Sequence, residues 1–351
     1  MYNPEQNRVK TVAIAIPALH RPELTARCIE FVQKQTLAPD EWEIVVVENE
    51  ARVGEMLADP LPRNTRRIEL SANEGTTGSI NRAVAATESR YVLLLNNDVE
   101  LEPDYIAKLV AALDEDATLA FATGKLLRAT QRTHLDGAGD AMLMAGAGFR
   151  LGHLDRDVGQ FSRPMPLLSG CGAAVLYRRE AFVACGGLDE EFFAYLDDLD
   201  LALRVQLLGY GGLYLPDAVG YHVGSATLGE AFHPRVVELI TRNQIWLLMK
   251  DYPRAVLRRG WWRIVVYQGL WKLYAITKHP GAYLRGVCAA MRGRRSMRAK
   301  NRELMAKRCI GDAELLRRLR DSERQIWEWQ QARPASERSR LLKIYFALTR
   351  G

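Results

Sequence analysis

YVLLLNND, residues 91–98, decides the fold. Tyr91 to Leu95 form an unbroken apolar run without alternation, and Asn96, Asn97 and Asp98 end it abruptly. A short continuous run with polar punctuation reads as a strand buried on both faces. Two earlier stretches share this character: VAIAI at 12–16, stopped by Pro17, and EIVVVEN at 43–49. Between them Pro22 opens a helix where a missing N–H costs nothing, with Leu24, Cys28, Phe31 and Val32 on one face. A further helix is expected over about 79–88. Continuous strands alternating with helices predict an α/β fold: a mostly parallel sheet covered by helices on both faces. Ligands of such sheets lie beyond the carboxyl ends of the strands. Pro17 to Arg21, Glu48 to Asn49 and Asn96 to Asp98 therefore fall along one edge.

Composition narrows the class. The chain has 351 residues, 48% of them hydrophobic, and a net charge of +6, which excludes collagenous, low-complexity and wholly disordered chains. Five cysteines (Cys28, Cys171, Cys185, Cys288, Cys309) are widely spaced and form no CxxC. That argues against a disulfide scaffold or a structural zinc site and favours a reducing compartment. The first ten residues, MYNPEQNRVK, lack the apolar core of a secretion signal, and no run approaches the ~18 apolar residues of a membrane span. The expected location is cytoplasmic. Residues after strand one read PALHRPE without GxGxxG, so the dinucleotide cradle is missing, and no Walker motif occurs. GAGDAMLMAGAG (137–148) is glycine-rich, follows no expected strand and reads as a mobile loop.

Six segments, taken in order, carry a family resemblance: AIPALHRPELTARCIEFVQKQ, VVVEN, NEGTTGSINRAV, YVLLLNNDVELEPDYI, LLSGCGAAVLYRREAFVACGGLDEEFFAYLDDLDLALRVQLLGY and LPDAVGYHVGSA. Together, over roughly residues 10–250, they resemble the inverting GT-A transferases of glycosyltransferase family 2. The closest flavour is the bacterial rhamnosyltransferase and galactofuranosyltransferase branch acting on lipid-linked glycans. The resemblance implies a nucleotide-sugar-binding GT-A fold over 1–230, with a nucleotide half at about 1–100 and an acceptor half at about 101–230. A nucleotide-sugar donor leaves as a diphosphate, whose developing charge needs a divalent cation, Mn²⁺ or Mg²⁺. Asp98 matches the surviving acid of the family's DxD element, with Asn96 and Asn97 in place of the other positions. His222, after LPDAVGY, matches the histidine that closes the metal site.

Inversion needs one carboxylate to take the acceptor hydroxyl's proton. By resemblance that base is Asp198, in AYLDDLDLALR, with Asp197 as its competitor, whereas Asp200 caps or complements the helix that follows. The donor's base and ribose are expected against Pro17, Ala18 and Glu48, with Asn73, Gly75 and Ser79 in a close loop and Asn97 on the ribose. Arg21 is within possible reach of a phosphate. Ser169, Gly170 and Cys171 are expected to face the acceptor, Cys171 as a buried filler because inversion forms no covalent intermediate. The leading reaction is transfer of L-rhamnose from dTDP-L-rhamnose to a polyprenyl-diphosphate-linked or cell-surface glycan. The second is transfer from a UDP-sugar, galactofuranose or hexose, in polysaccharide or O-antigen synthesis. A non-catalytic glycan- or lipid-binding scaffold is the rival from another class.

Charge divides the chain near residue 230. Residues 231–351 hold 27 basic and 9 acidic residues, leaving 21 basic and 33 acidic before them. Six of seven tryptophans (246, 261, 262, 271, 327, 329) lie in this basic rear, which reads as a helical region. WWRIVVYQGLWKLYAI (261–276) is too short and too charged to span a bilayer. Its Trp, Tyr and Arg suit a helix lying in the headgroup layer, with RGRRSMRAK (292–300, containing Arg292 to Lys300) adding attraction to anionic lipid. The expectation is therefore peripheral association with the inner face of the cell membrane through 242–300, led by Trp261, Trp262 and Trp271. No nucleic-acid signature accompanies the charge, so nucleic acid is not an expected partner. Residues 311–333 mix charges at helical spacing and read as a docking or dimerisation helix, which makes a homo-oligomer one expected state.

Overall fold

A computed structural model describes residues 9–224 and 233–349. The chain runs β1 (Lys10–Ala18), α1 (Pro22–Val32), β2 (Trp42–Glu48), β3 (Thr65–Glu69), α2 (Gly75–Ala85), β4 (Ser89–Leu95), β5 (Val99–Leu101) and α3 (Tyr105–Glu115). It continues through β6 (Leu119–Arg128), β7 (Gln131–Gly137), β8 (Asp140–Met142), β9 (Gly148–Arg150), β10 (Met165–Leu167), β11 (Ala174–Arg178), α4 (Arg179–Ala184), α5 (Asp197–Leu207) and β12 (Gly211–His222). Five helices follow: α6 (Pro234–Lys250), α7 (Arg254–Lys278), α8 (Pro280–Lys307), α9 (Asp312–Ala332) and α10 (Arg340–Thr349).

The main sheet has the order β10-β12-β6-β11-β4-β1-β2-β3, with β5 added to β12 and β7 to β6. From β4 to β3 it is parallel, whereas β11, β5, β7 and β10 enter antiparallel. Both faces are covered. Alternate residues of β1 separate accordingly: Val12, Ile14 and Ile16 join Ile29 and Leu109 on one side, while Ala15 joins Ile80 and Phe182 on the other. Helix α1 starts at Pro22 as expected, but it buries Thr25, Cys28, Ile29 and Val32, leaving Leu24 and Phe31 half-buried. Cys28 and Val32 of the expected face are thus buried, with Thr25 and Ile29 in place of Leu24 and Phe31. Helix α2 begins at Gly75, four positions before the expected start.

The glycine-rich stretch at 137–148 is not a mobile loop. It forms most of the β8–β9 hairpin, and Ala138 to Ala147 are all buried. Its cover comes from the C-terminal helices. The Met142 amide donates to Ser322 Oγ at 2.7 Å, the Met144 amide to Glu323 Oε1 at 3.3 Å, and Gly146 lies against Leu248. Met142, Met144, Leu199, Leu203, Trp246, Met297 and Leu319 share one apolar cluster, so the core continues across residue 230. Helix α9 docks on this same chain: Leu315, Leu316, Leu319 and Ile326 are its buried side. Among the described residues no helix is long and apolar enough to cross a membrane.

Candidate active site

Antiparallel pairing builds the first half of the site. Val99 on β5 sits opposite His222, the last residue of β12, which brings Asp98 beside the histidine. Asp98 Oδ1 lies 3.2 Å from His222 Nε2, and its Oδ2 accepts the Gly224 amide at 3.1 Å. On the other side of the ring, Nδ1 is 2.8 Å from Asp136 Oδ2. Burial alone would lower the imidazole's pKa, but hydrogen bonds to Asp136 and Asp98 outweigh it and raise it to about 9. Asp136 answers in the opposite sense. Burial would raise its carboxyl, but His222 and the Arg150 guanidinium bring it down to about 2.

Helix α5 supplies the second half. Asp197 and Asp198 form its first turn, and the preceding segment is conformationally unusual: Phe193, Tyr195 and Leu196 have φ of 67°, 67° and 62°. Left-handed conformations of such residues cost about 1–2 kcal/mol each and persist only where the surroundings hold them. Here the holding group is Asn243 of α6, 0% exposed. Its amide nitrogen lies 3.1, 2.9 and 2.7 Å from the carbonyls of Phe192, Ala194 and Tyr195. Farther along α5, Asp200 lies in the first turn, where it is expected to cap the helix or complement its dipole, but it does not cap and serves instead as an ion-pair anchor. It meets Arg204 and, at 2.5 Å, Lys250 Nζ, which also reaches Asp189 at 2.6 Å.

The two halves meet over the loop before β11. Ala173 accepts the Asn96 amide at 2.9 Å, and a Cβ on the adjacent Gly172 would lie 3.1 Å from Asp198 Oδ2. Asp198 Oδ1 accepts the Leu199 amide at 2.8 Å. Burial raises the carboxyl pKa of Asp198, and burial plus the neighbouring Asp198 charge raises that of Asp197. Asp140 on β8 is raised as well, by burial and by the charges of Asp198 and Asp136, against the pull of Arg150. A carboxylate raised in this way is a better proton acceptor near neutral pH.

The expected donor residues occupy the neighbouring edge. Pro17 and Ala18 end β1, in register with Val47 and Glu48. Glu48 is 3% exposed, accepts the Leu57 amide at 2.9 Å and is raised in pKa by burial, so it also holds the loop before β3. Asn49 ties the next loop down through Asn73 Oδ1 at 2.9 Å and the Glu74 amide at 2.8 Å. Asn97 donates to Thr25 Oγ1, and Ser79 turns back onto the Gly75 carbonyl. Gly75, at φ +75°, is glycine for a local reason, since a Cβ would lie 2.3 Å from the Phe193 carbonyl oxygen. Arg21 pairs with Glu23 at the mouth of α1. Ser169 and Cys171 are both 0% exposed, and burial pushes the Cys171 thiol up, as a filler rather than a nucleophile requires.

Three site residues escaped the sequence reading: Asp136, Asp140 and Arg150, all from the stretch around the presumed loop. Sequence comparison decides the family. The model described as glycosyltransferase like family 2 matches residues 9–243. The chain belongs to that family. An N-acetylglucosaminyl-diphospho-decaprenol L-rhamnosyltransferase of Mycobacterium tuberculosis is 25% identical over 57% of this chain and 70% of its own length. The O-antigen biosynthesis protein RfbC of Myxococcus xanthus is 30% identical over 56% of this chain. A Sinorhizobium fredii protein, y4gI, is 28% identical over 64% of it. The chain spans only 16% of RfbC and 25% of y4gI.

Solved structures agree on the fold. GalNAc-T7 with UDP, GalNAc and Mn²⁺ superposes with a TM-score of 0.59 at 14% identity, covering 76% of this chain and 52% of that one. The Pyrobaculum calidifontis mannosyltransferase PcManGT, with GDP-Man and Mn²⁺, gives 0.52 at 14% identity, covering 93% and 88%. The fold of this chain is GT-A, carrying a C-terminal set of helices.

Proposed function

We propose that this family 2 protein is an inverting, metal-dependent glycosyltransferase. The observation that carries the reading is the meeting of Asp98 and His222 with the Asp198 end of α5 at one edge of the sheet. Asp98 and His222 offer one carboxylate and one imidazole, a donor set that suits Mn²⁺ and tolerates Mg²⁺ less well. Among the described residues no group of three His, Cys, Asp or Glu could hold a metal ion. Asp98 and His222 would be the protein's ligands to such a cation, with room left for oxygens of the donor. When bound, the cation neutralises the charge that grows on the leaving diphosphate.

The chain's residues do the rest. Ala18, Glu48, Asn73, Gly75 and Asn97 shape the pocket for base and ribose beside the ends of β1 and β2. The acceptor approaches over Gly172, with Ser169, Gly170 and Cys171 forming the buried floor beneath. Asp198 takes the hydroxyl proton as the acceptor oxygen bonds to the anomeric carbon and the bond to the diphosphate breaks on the opposite face. Asp197, deeper in the same turn, has its own proton affinity raised by burial and by the Asp198 charge.

L-Rhamnose from dTDP-rhamnose is the leading donor, supported by the mycobacterial relative, 70% of which the chain covers. The same relative's name supports a polyprenyl-diphosphate-linked acceptor. We also propose peripheral attachment to an anionic membrane through the outer face of α7. Trp261, Trp262, Val265, Leu273 and Ile276 are exposed there, alongside Arg258, Arg259 and Lys272. Trp271 takes no part, because it is 6% exposed and donates to Thr241 Oγ1 at 3.0 Å. The test of function is a nucleotide-sugar panel scored by thermal shift with Mn²⁺ and then by transfer to a synthetic prenyl-diphosphate saccharide. dTDP-rhamnose should stabilise and turn over. Stabilisation by UDP-sugars alone would reassign the donor, and none by any member would refute the reading.

A further inference from the structure

His222 is held at both ring nitrogens, and the partner at the second belongs to the hairpin region overlooked in the sequence. Asp136, the penultimate residue of β7, is 5% exposed and places Oδ2 2.8 Å from His222 Nδ1. The same oxygen is 2.8 Å from Arg150 Nη1, on β9, and Arg150 Nε stands 3.5 Å from Asp140 Oδ1. The Asp136 carbonyl faces His153 Nδ1 at 2.9 Å, a further tie on the same residue. A line of buried or half-buried groups thus runs Asp98–His222–Asp136–Arg150–Asp140. Asp140, at its end, sits on β8, which α9 covers through Ser322 on the Met142 amide.

The chemistry of an imidazole ligand gives this line a task. An imidazole binds a cation through one nitrogen only when the other carries the proton, and a carboxylate accepting that N–H fixes both the tautomer and the ring plane. With only two protein ligands at the site, a rotated His222 would leave Asp98 alone. Resting on the reading of Asp98 and His222 as ligands, we propose that Asp136 is the positioning residue of the metal site. Arg150 keeps its carboxylate aimed at His222. This gives a task to an Arg that spans two acidic residues, Asp136 on β7 and Asp140 on β8. It also makes the C-terminal helices, which press on the β8–β9 hairpin, contributors to metal affinity.

The experiment measures Mn²⁺ binding directly, from the free-ion EPR signal, on the full chain with UDP and with dTDP. Wild type, Asp98→Ala, Asp136→Ala, Asp136→Asn and Arg150→Met are compared, with the melting temperature of each as a check on folding. Asp98→Ala should abolish binding. Asp136→Ala should weaken it about 10- to 100-fold, the usual cost of losing such a support. Asn, which can still accept the Nδ1 proton, should restore part of the loss, and Arg150→Met should fall between wild type and Asp136→Ala. Should Asp136→Ala fail to fold, the near-isosteric Asn variant decides, with a smaller but measurable loss expected. Loss in Asp98→Ala with wild-type affinity in folded Asp136 variants would overturn the inference alone. Wild-type affinity in Asp98→Ala would overturn the metal reading on which it rests.

Discussion

Replacing Asn243 by Leu tests whether the basic rear of the chain positions the Asp197 and Asp198 carboxylates. Leucine keeps the bulk and removes the amide that faces the carbonyls of Phe192, Ala194 and Tyr195. Phe192 retains the Arg242 guanidinium at 2.7 Å, so the loss falls on Ala194 and Tyr195. Each of these part-buried carbonyls left without this donor costs at most about 1–3 kcal/mol, or about 2–6 kcal/mol for both. For 351 residues the unfolding entropy is about 0.7 kcal/mol/K, so the melting temperature should fall by about 3–8 °C. The functional effect should be larger than this suggests. Without the amide Phe193, Tyr195 and Leu196 can relax from their positive-φ conformations, carrying Asp197 and Asp198 with them. A displacement of about 1 Å costs on the order of 100-fold in rate. Steady-state transfer, assayed well below the lowered melting temperature, should show kcat reduced by that order with donor KM little changed. A variant that loses the stability yet turns over at the wild-type rate would refute the reasoning.

Lys250→Met takes one cation from Asp200, which keeps Arg204, and one from Asp189, which keeps Lys300, and should cost about 1.5–3 kcal/mol, a fall of about 2–4 °C by calorimetry; an unchanged melting temperature would contradict the network. Asp251 is 0% exposed, and burial together with Asp200 holds its pKa well above the usual range. A folded pKa above the unfolded one gives stability that is lost as pH rises through the folded value. Asp251→Asn cannot ionise, so as pH rises above the ordinary carboxyl value its melting temperature should fall less than that of wild type, by about 2 °C per pH unit until the folded value is reached; identical pH profiles would argue against this. Gly75→Ala forces a Cβ to 2.3 Å from the Phe193 carbonyl oxygen and should weaken nucleotide binding at least about tenfold by calorimetric titration. Trp261 and Trp262 replaced together by Ser should make release from anionic vesicles complete at high salt, where the Debye length falls from about 10 Å to about 3 Å. Wild type should be only partly released, and equal sedimentation with neutral and anionic vesicles would rule the attachment out.

Much of the site's edge was legible because its strands are continuous apolar runs ended by Pro17, Glu48 and Asn96, and a parallel sheet brings such ends together. Asp98, Asp198 and His222 were found by their place in an ordered set of motifs. Strand β3, TRRIE, was missed because it is the last strand of the sheet and no residue of it is fully buried. The hairpin was missed for another reason. Its Gly, Ala and Met composition reads as loop, and the groups that cover it lie about 180 positions later. Asp136 and Arg150 were lost with it. In α7 the apolar residues surround the helix, so periodicity could not separate the exposed Trp261 and Trp262 from the buried Trp271.

The central claim is that Asp198 removes the acceptor's proton. Single-turnover transfer, with donor and acceptor saturating, tests it most directly in Asp198→Asn and Asp197→Asn. Asp198→Asn should bind donor like wild type and lose about 10² to 10⁴ in rate, the contribution of a positioned general base, while Asp197→Asn loses less. A full rate in Asp198→Asn, or the greater loss in Asp197→Asn, would contradict the assignment.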